Sequence, residues 1–140
     1  MLNVTCAVII YDGKILVTQR GKNSDHPFKW EFPGGKIQIN ESPEDCIKRE
    51  IREELNIEID VLKLMKPVDF DYGFKQINLI PFMCSYKAGE FLLREHHAFK
   101  WIDLEELEET DLSEADLEMV KLKSNRIILK EYLRKYVDKT

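Results

Sequence analysis

Glu50, Glu53 and Glu54 recur at i, i+3 and i+4. On a helix turning about 100° per residue they fall within an arc of roughly 100°, so three carboxylates share one face. Like charges at that spacing repel, and an isolated helix carrying them is weakened. Hard divalent cations bound through oxygen are the natural stabilising partner, which points to Mg²⁺, or Mn²⁺, in preference to zinc. Such ions beside a phosphate chain would neutralise it, polarise phosphorus and acidify a bound water, the requirements for hydrolysing a phosphoanhydride at neutral pH. In a chain with 34% charged residues an acidic run can also be a solvated helix face, so the reading turns on its surroundings.

The elements that must position these acids are legible. Ser42-Pro43-Glu44 combines a cap, proline at the first helical position and an acidic first turn, which predicts a helix over 43–55. Ile47, Ile51 and Leu55 form a separate apolar stripe for the core, and Asn56 is expected to end the helix in the left-handed conformation. Upstream, Val4 to Tyr11 and Lys14 to Arg20 flank Asp12-Gly13, a hairpin signal. A polar loop over 21–29 leads to a short strand at Trp30-Glu31-Phe32, closed by Pro33-Gly34-Gly35. Downstream, Ile57, Ile59 and Val61 alternate with acids, and strands are expected around Leu64 to Tyr72, Gln76 to Tyr86 and Ala98 to Ile102. Ser113 to Leu122 and Asn125 to Val137 read as helices. The pattern predicts an α+β fold, a mixed sheet sandwiched between helices in an α/β/α arrangement.

With 140 residues, 44% of them hydrophobic, one compact domain over 1–140 is expected. A net charge of -5 argues against stable nucleic-acid binding, which needs a clustered basic surface. No apolar run approaches a membrane span and no signal-like segment opens the chain, so a cytoplasmic protein is expected. Cys6, Cys46 and Cys84 are odd in number, widely spaced and set in apolar segments, as reduced buried thiols are. The last helix could pack on its own domain or join a second copy, leaving monomer and homodimer open.

Glu41 stands six residues after Gly35, and Arg49-Glu50-Ile51-Arg52-Glu53-Glu54-Leu55-Asn56-Ile57 follows after seven intervening residues. This segment, 35–57, resembles the Nudix box, Gly-x5-Glu-x7-Arg-Glu-U-x-Glu-Glu-x-Gly-U with U a bulky aliphatic. Eight defined positions agree, and Asn56 replaces glycine. Asn tolerates the left-handed region well, so a small stability cost and no loss of activity are expected. The stretch from Trp30 to Lys36 is similar to the segment before the box in MutT-like members and in the related cytidine triphosphate pyrophosphohydrolases. The resemblance implies a loop-helix-loop in which Glu50, Glu53 and Glu54 hold the metal, aided by the Gly35 carbonyl. It also implies that Arg49 orients Glu41, both of them structural.

The resemblance further implies roles outside the box. Glu95, before an aromatic strand, corresponds to a glutamate that reaches the metal or serves as general base, with Glu53 the competing base and a solvated loop acid the plain alternative. His96 and His97 are expected at the surface or behind an oxygen-rich site. Arg20 could clamp phosphates bidentately or simply cap an exposed loop, and Lys36 is a second candidate. Asp116 is similar to an Ala-Asp segment of the cytidine enzymes. Its carboxylate could accept from an exocyclic amino group such as cytosine N4, or from purine donors, or cap the helix opened by Ser113. Phe32, Tyr72 and Phe74 could offer a stacking face or belong to the core.

The function implied is Mg²⁺-dependent attack of water on the β-phosphorus of a nucleoside triphosphate, giving monophosphate and pyrophosphate, with CTP, dCTP or a modified pyrimidine nucleotide as substrate. Two alternatives stand beside it: an enzyme that removes 8-oxo-dGTP, and a domain of another class that senses nucleotides without turnover.

Overall fold

The computed structural model describes residues 1–137. In chain order the elements are β1 (Leu2–Tyr11), β2 (Lys14–Arg20), β3 (Trp30–Glu31), β4 (Gly34–Lys36), α1 (Pro43–Leu55), β5 (Glu58–Leu64), β6 (Val68–Asp71), β7 (Gln76–Ala88), β8 (His96–Ile102), α2 (Leu104–Glu109), α3 (Glu114–Lys121) and α4 (Lys123–Lys135). The sheet is mixed. β1 runs parallel to β7, whereas β2 and β4 pair antiparallel to β1, and β5 and β6 pair antiparallel to β7. β3 and β8 both pair antiparallel to β2. Asp12 and Gly13 take positive φ at the β1–β2 turn, as a two-residue hairpin of right-handed strands requires.

Alternation along the strands builds two cores. Cys6, Val8 and Ile10 of β1, with Ile15 and Val17 of β2, face Met119, Leu129 and Leu133 of α3 and α4. Ala7, Ile9 and Leu16 face the opposite way, onto Ile47, Ile51 and Leu55 of α1. The three α1 residues are fully buried, so truncating any one to alanine removes packing worth about 2–5 kcal/mol. This is the expected α/β/α sandwich, with α1 alone on its face and its acids along the helix edge. Among the described residues, no helix is long and apolar enough to cross a membrane.

Several boundaries depart from the sequence reading. β4 was expected to be only a closing turn, yet Gly34 and Gly35 pair with Cys6 and Thr5. The strand expected from Leu64 to Tyr72 divides, because Pro67 has no amide hydrogen to give a ladder and the Met65 amide turns to the Pro81 carbonyl. α2 was not expected; Asp103 and Glu106 close a capping box at its start. β8 begins two residues before Ala98, and α4 ends at Lys135, short of Val137.

Asn56 ends α1 at φ 61° and ψ 28°, its amide on the Arg52 carbonyl, and its Nδ2 donates to the Glu90 carbonyl. An alanine there keeps the left-handed backbone without the local hydrogen bond. Asn56→Ala should destabilise the protein by about 1–2 kcal/mol, whereas Asn56→Gly should change stability by no more than a few tenths of that. Urea unfolding of the three proteins measures this, and equal midpoints for all three would contradict the assignment.

Candidate active site

The helix start is built as its residues dictate, with Ser42 Oγ accepting from the Asp45 amide. From this fixed start, Glu50, Glu53 and Glu54 emerge along the edge of the α1 core stripe, each in a different environment. Glu53 points outward, its side chain 60% exposed. Glu54 turns inward and is only 5% exposed; its Oε2 has no hydrogen-bond partner and lies 3.9 Å from His96 Nε2. Burial pushes the Glu54 carboxyl up to about 10, and the neighbouring carboxylates of Glu50, Glu95 and Glu31 add to the rise. Glu50 lies under the glycine pair. A Cβ at Gly35 would stand 2.4 Å from the Glu50 carboxyl carbon, and one at Gly34 would meet the Thr5 carbonyl at 2.0 Å. Only glycines let this loop lie against both the acid and β1. The Gly35 carbonyl accepts from Thr5 Oγ1 at 3.1 Å.

Arg49 ties the outer acids together. Its Nε donates to Glu41 Oε2 at 2.6 Å and its Nη2 to Glu41 Oε1 at 3.0 Å, a bidentate pair. Nη1 donates to Glu50 at 3.0 Å and to Glu53 at 3.1 Å, and Nη2 reaches the Lys36 carbonyl at 3.3 Å. One guanidinium therefore sets the loop, the helix and three carboxylates.

A second set comes from the sheet. Arg20 Nη1 donates to Glu31 Oε1 at 2.7 Å, and His96 Nε2 lies 2.9 Å from Glu31 Oε2. Burial would raise the Glu31 carboxyl, but its bonds to His96 and Arg20 outweigh this and leave it lowered. Glu31 was passed over in the sequence as part of a short strand. The available signal was an acid between two aromatics, Trp30 and Phe32, just before the glycine pair. Of the two histidines, His96 stands behind the acids, its imidazole 5% exposed between Glu31 and Glu54, whereas exposed His97 packs against Phe28. Glu95 is exposed and lines the same cleft as Arg20, Glu31 and His96. Its loop is stitched to the end of α1 by the Leu92 and Arg94 amides on the carbonyls of Leu55 and Glu54.

Beyond Arg20 and Glu31 opens a cavity of about 200 Å³ lined by Phe32, Tyr72, Lys36, Lys75 and Asp116 among others. Asp116 is 6% exposed, and its Oδ2 accepts from the Phe32 amide at 2.9 Å. Burial and the nearby Glu31 charge raise it well above the carboxylate range, against the Phe32 amide and Arg20. It does not cap α3: the Ser113 amide goes to the Trp30 carbonyl instead. Phe32 is buried in the core beneath the cavity, whereas Tyr72 and exposed Phe74 cluster with His26 at the cavity side.

Carboxylates massed beside a cavity, with cations on two sides and a buried carboxyl oxygen of Glu54 unpaired, suit an anionic ligand carried with metal. The donor set is all hard oxygen, and Arg49 serves Glu41, Glu50 and Glu53 but leaves Glu54 unbalanced, so these residues fit a divalent cation. Among the described residues no three acid, imidazole or thiol groups already converge closely enough to hold a metal ion by themselves. Mg²⁺ retains waters and takes phosphate oxygens, so an open set is what it uses.

Groups so placed suit metal and phosphate chemistry, and the sequence comparison supplies the class. The profile of the NUDIX domain matches residues 1–123, and the chain belongs to the Nudix hydrolase family. It is 35% identical over 120 residues to the CTP pyrophosphohydrolase of Escherichia coli K12, covering 86% of this chain and 89% of that protein. It is 32% identical to the 8-oxo-dGTP diphosphatase of Buchnera aphidicola from Schizaphis graminum, covering 75% and 79%. The solution structure of the E. coli ORF135 protein superposes with a TM-score of 0.79 at 32% identity, covering 94% and 92%. Hydrolases of this family generally depend on divalent metal.

Arg49 holds Glu41 at about 2, against an ordinary 4.5. A lowered carboxyl stabilises the fold above its unfolded value, and that contribution is lost as pH falls through the folded one. Thermal melts should therefore show Glu41→Gln less stable than wild type by a constant margin at neutral pH. The margin should close between about pH 4.5 and pH 2, and a margin independent of pH would contradict the pairing.

Proposed function

We propose that this chain is a Mg²⁺-dependent nucleoside triphosphate pyrophosphohydrolase acting on CTP, dCTP or a modified pyrimidine nucleotide. The observation that carries the reading is the buried Glu54 carboxyl, one oxygen unpaired, next to His96 of a cleft that shares Arg20 and Glu31 with the Asp116 cavity. Glu50, Glu53 and Glu54 would hold the metal, with Glu95 and the Gly35 carbonyl as further oxygens, and Mn²⁺ could substitute. When bound, the cation supplies charge neutralisation of the phosphate chain and a more acidic water.

The chain's own groups do the rest. Arg20, braced by Glu31, presents a guanidinium where cavity and acid cleft meet, positioned to steady phosphates; Lys36 adds charge at the cavity rim. Glu95 is a solvent-accessible carboxylate in the cleft and Glu53 an exposed one on the edge of α1, and either would take the proton of the attacking water. Asp116 offers oxygen at the cavity wall to an amino group of the base. The nucleoside monophosphate leaves as water adds to the β-phosphorus, and the new oxygen departs in pyrophosphate.

The second reading is hydrolysis of 8-oxo-dGTP, favoured by the relatives that carry that name and by the capacity of Asp116 to accept from purine donors. Pyrophosphate release from CTP, dCTP, 5-methyl-dCTP and 8-oxo-dGTP with Mg²⁺ decides between them. Cytidine nucleotides should lead in kcat/KM, and Glu54→Gln should reduce turnover of every substrate at least about a hundredfold. Fastest turnover of 8-oxo-dGTP would transfer the proposal to the second reading. Nucleotide binding without metal-dependent turnover would overturn both and leave a sensor domain.

A further inference from the structure

Ser113 occupies the N-cap of α3, where a serine hydroxyl normally accepts from the amide of the second or third helical residue. Here it makes no such bond. The Ala115 amide, second in the helix, donates instead to the Tyr72 hydroxyl at 3.0 Å. Tyr72, on the segment after β6, has taken over the capping role. Ser113 is 8% exposed, its Oγ is buried with no hydrogen-bond partner, and the residue lines the same cavity as Tyr72 and Asp116. A buried hydroxyl left unpaired is unfavourable unless a ligand completes it.

We infer that Ser113 is a specificity-determining residue, its hydroxyl reading the base of the nucleotide beside Asp116. The inference rests on the nucleotide reading above. Asp116 and Ser113 stand one helical turn apart at the start of α3, and α3 is held against β3 by the Ser113 amide on the Trp30 carbonyl at 2.8 Å. Two polar groups so placed match a base edge that presents an amino donor next to an unprotonated ring nitrogen. The amino group meets the Asp116 carboxyl, and the ring nitrogen accepts from the Ser113 hydroxyl. Cytosine has this edge. Uracil puts a carbonyl where the amino group stands, which an ionised Asp116 carboxylate repels, so its ring N–H is held away from the Ser113 hydroxyl. A cavity of about 200 Å³ favours a single ring over a purine.

Titration calorimetry of CMP and UMP against the full chain tests this without relying on turnover. Wild type should prefer CMP. Ser113→Ala should weaken CMP roughly tenfold and leave UMP unchanged, and Ser113→Thr, which keeps the hydroxyl, should restore most of the loss. Tyr72→Phe removes the acceptor of the Ala115 amide, so the Ser113 hydroxyl returns to its capping bond; this variant should also lose CMP preference with Ser113 intact. Wild type without a CMP preference, an unchanged ratio in Ser113→Ala, or equal weakening of both nucleotides in it would overturn the inference. If wild type prefers CMP but hydrolyses no triphosphate, the proposed function fails while the role of Ser113 stands.

Discussion

Holding several carboxylates together in a poorly hydrated cleft is the constraint around which this molecule is arranged. Glu31, Glu50, Glu54 and Asp116 come from one strand, β3, and two helices, α1 and α3, and neighbouring acids raise the cost of ionising Glu54 and Asp116. A buried charge stripped of its partner costs about 3–5 kcal/mol, so the counter-charges are structural necessities. Arg49 serves the outer acids and Arg20 with His96 serves Glu31. Glu54 is the exception, buried with an unpaired oxygen, and it is the oxygen that a bound cation would complete.

The fold supplies rigidity to this arrangement. α1 is anchored by three fully buried aliphatic residues on a sheet whose central strands β1 and β7 are paired in parallel over nine residue pairs. The glycine pair then brings β4 onto β1 and against Glu50 at once, which no side chain at Gly34 or Gly35 would allow. β2, with its register shift between Gln19 and Arg20, turns Arg20 toward Glu31 between the acid cleft and the cavity. Phosphate and base would thus meet different walls of one continuous surface: acids and guanidinium on one side, Asp116 and aromatic rings on the other.

The features legible in the sequence were those set by near neighbours. The acids of α1, its Ser42 cap, the Asn56 terminus and the Asp12-Gly13 hairpin all follow from spacing within a few residues, and the structure has each of them. The features that were missed depend on distant pairing. Glu31 and His96 are 65 residues apart, and the Phe32 amide and Asp116 are 84 apart. Nothing local marks a histidine beside an exposed one as buried, and nothing local shows that Tyr72 displaces Ser113 from its cap. β4 was invisible for the same reason: glycines have no strand preference of their own, and only β1 makes a strand of them.

A divalent cation held by Glu50 and Glu54 is the proposed centre of the chemistry. Mn²⁺ titration followed by electron paramagnetic resonance counts bound ions without any substrate. Wild type should show a saturable site that Mg²⁺ displaces, weakened about tenfold or more in Glu54→Gln and in Glu50→Gln. Equal Mn²⁺ affinity in wild type and both variants would contradict it.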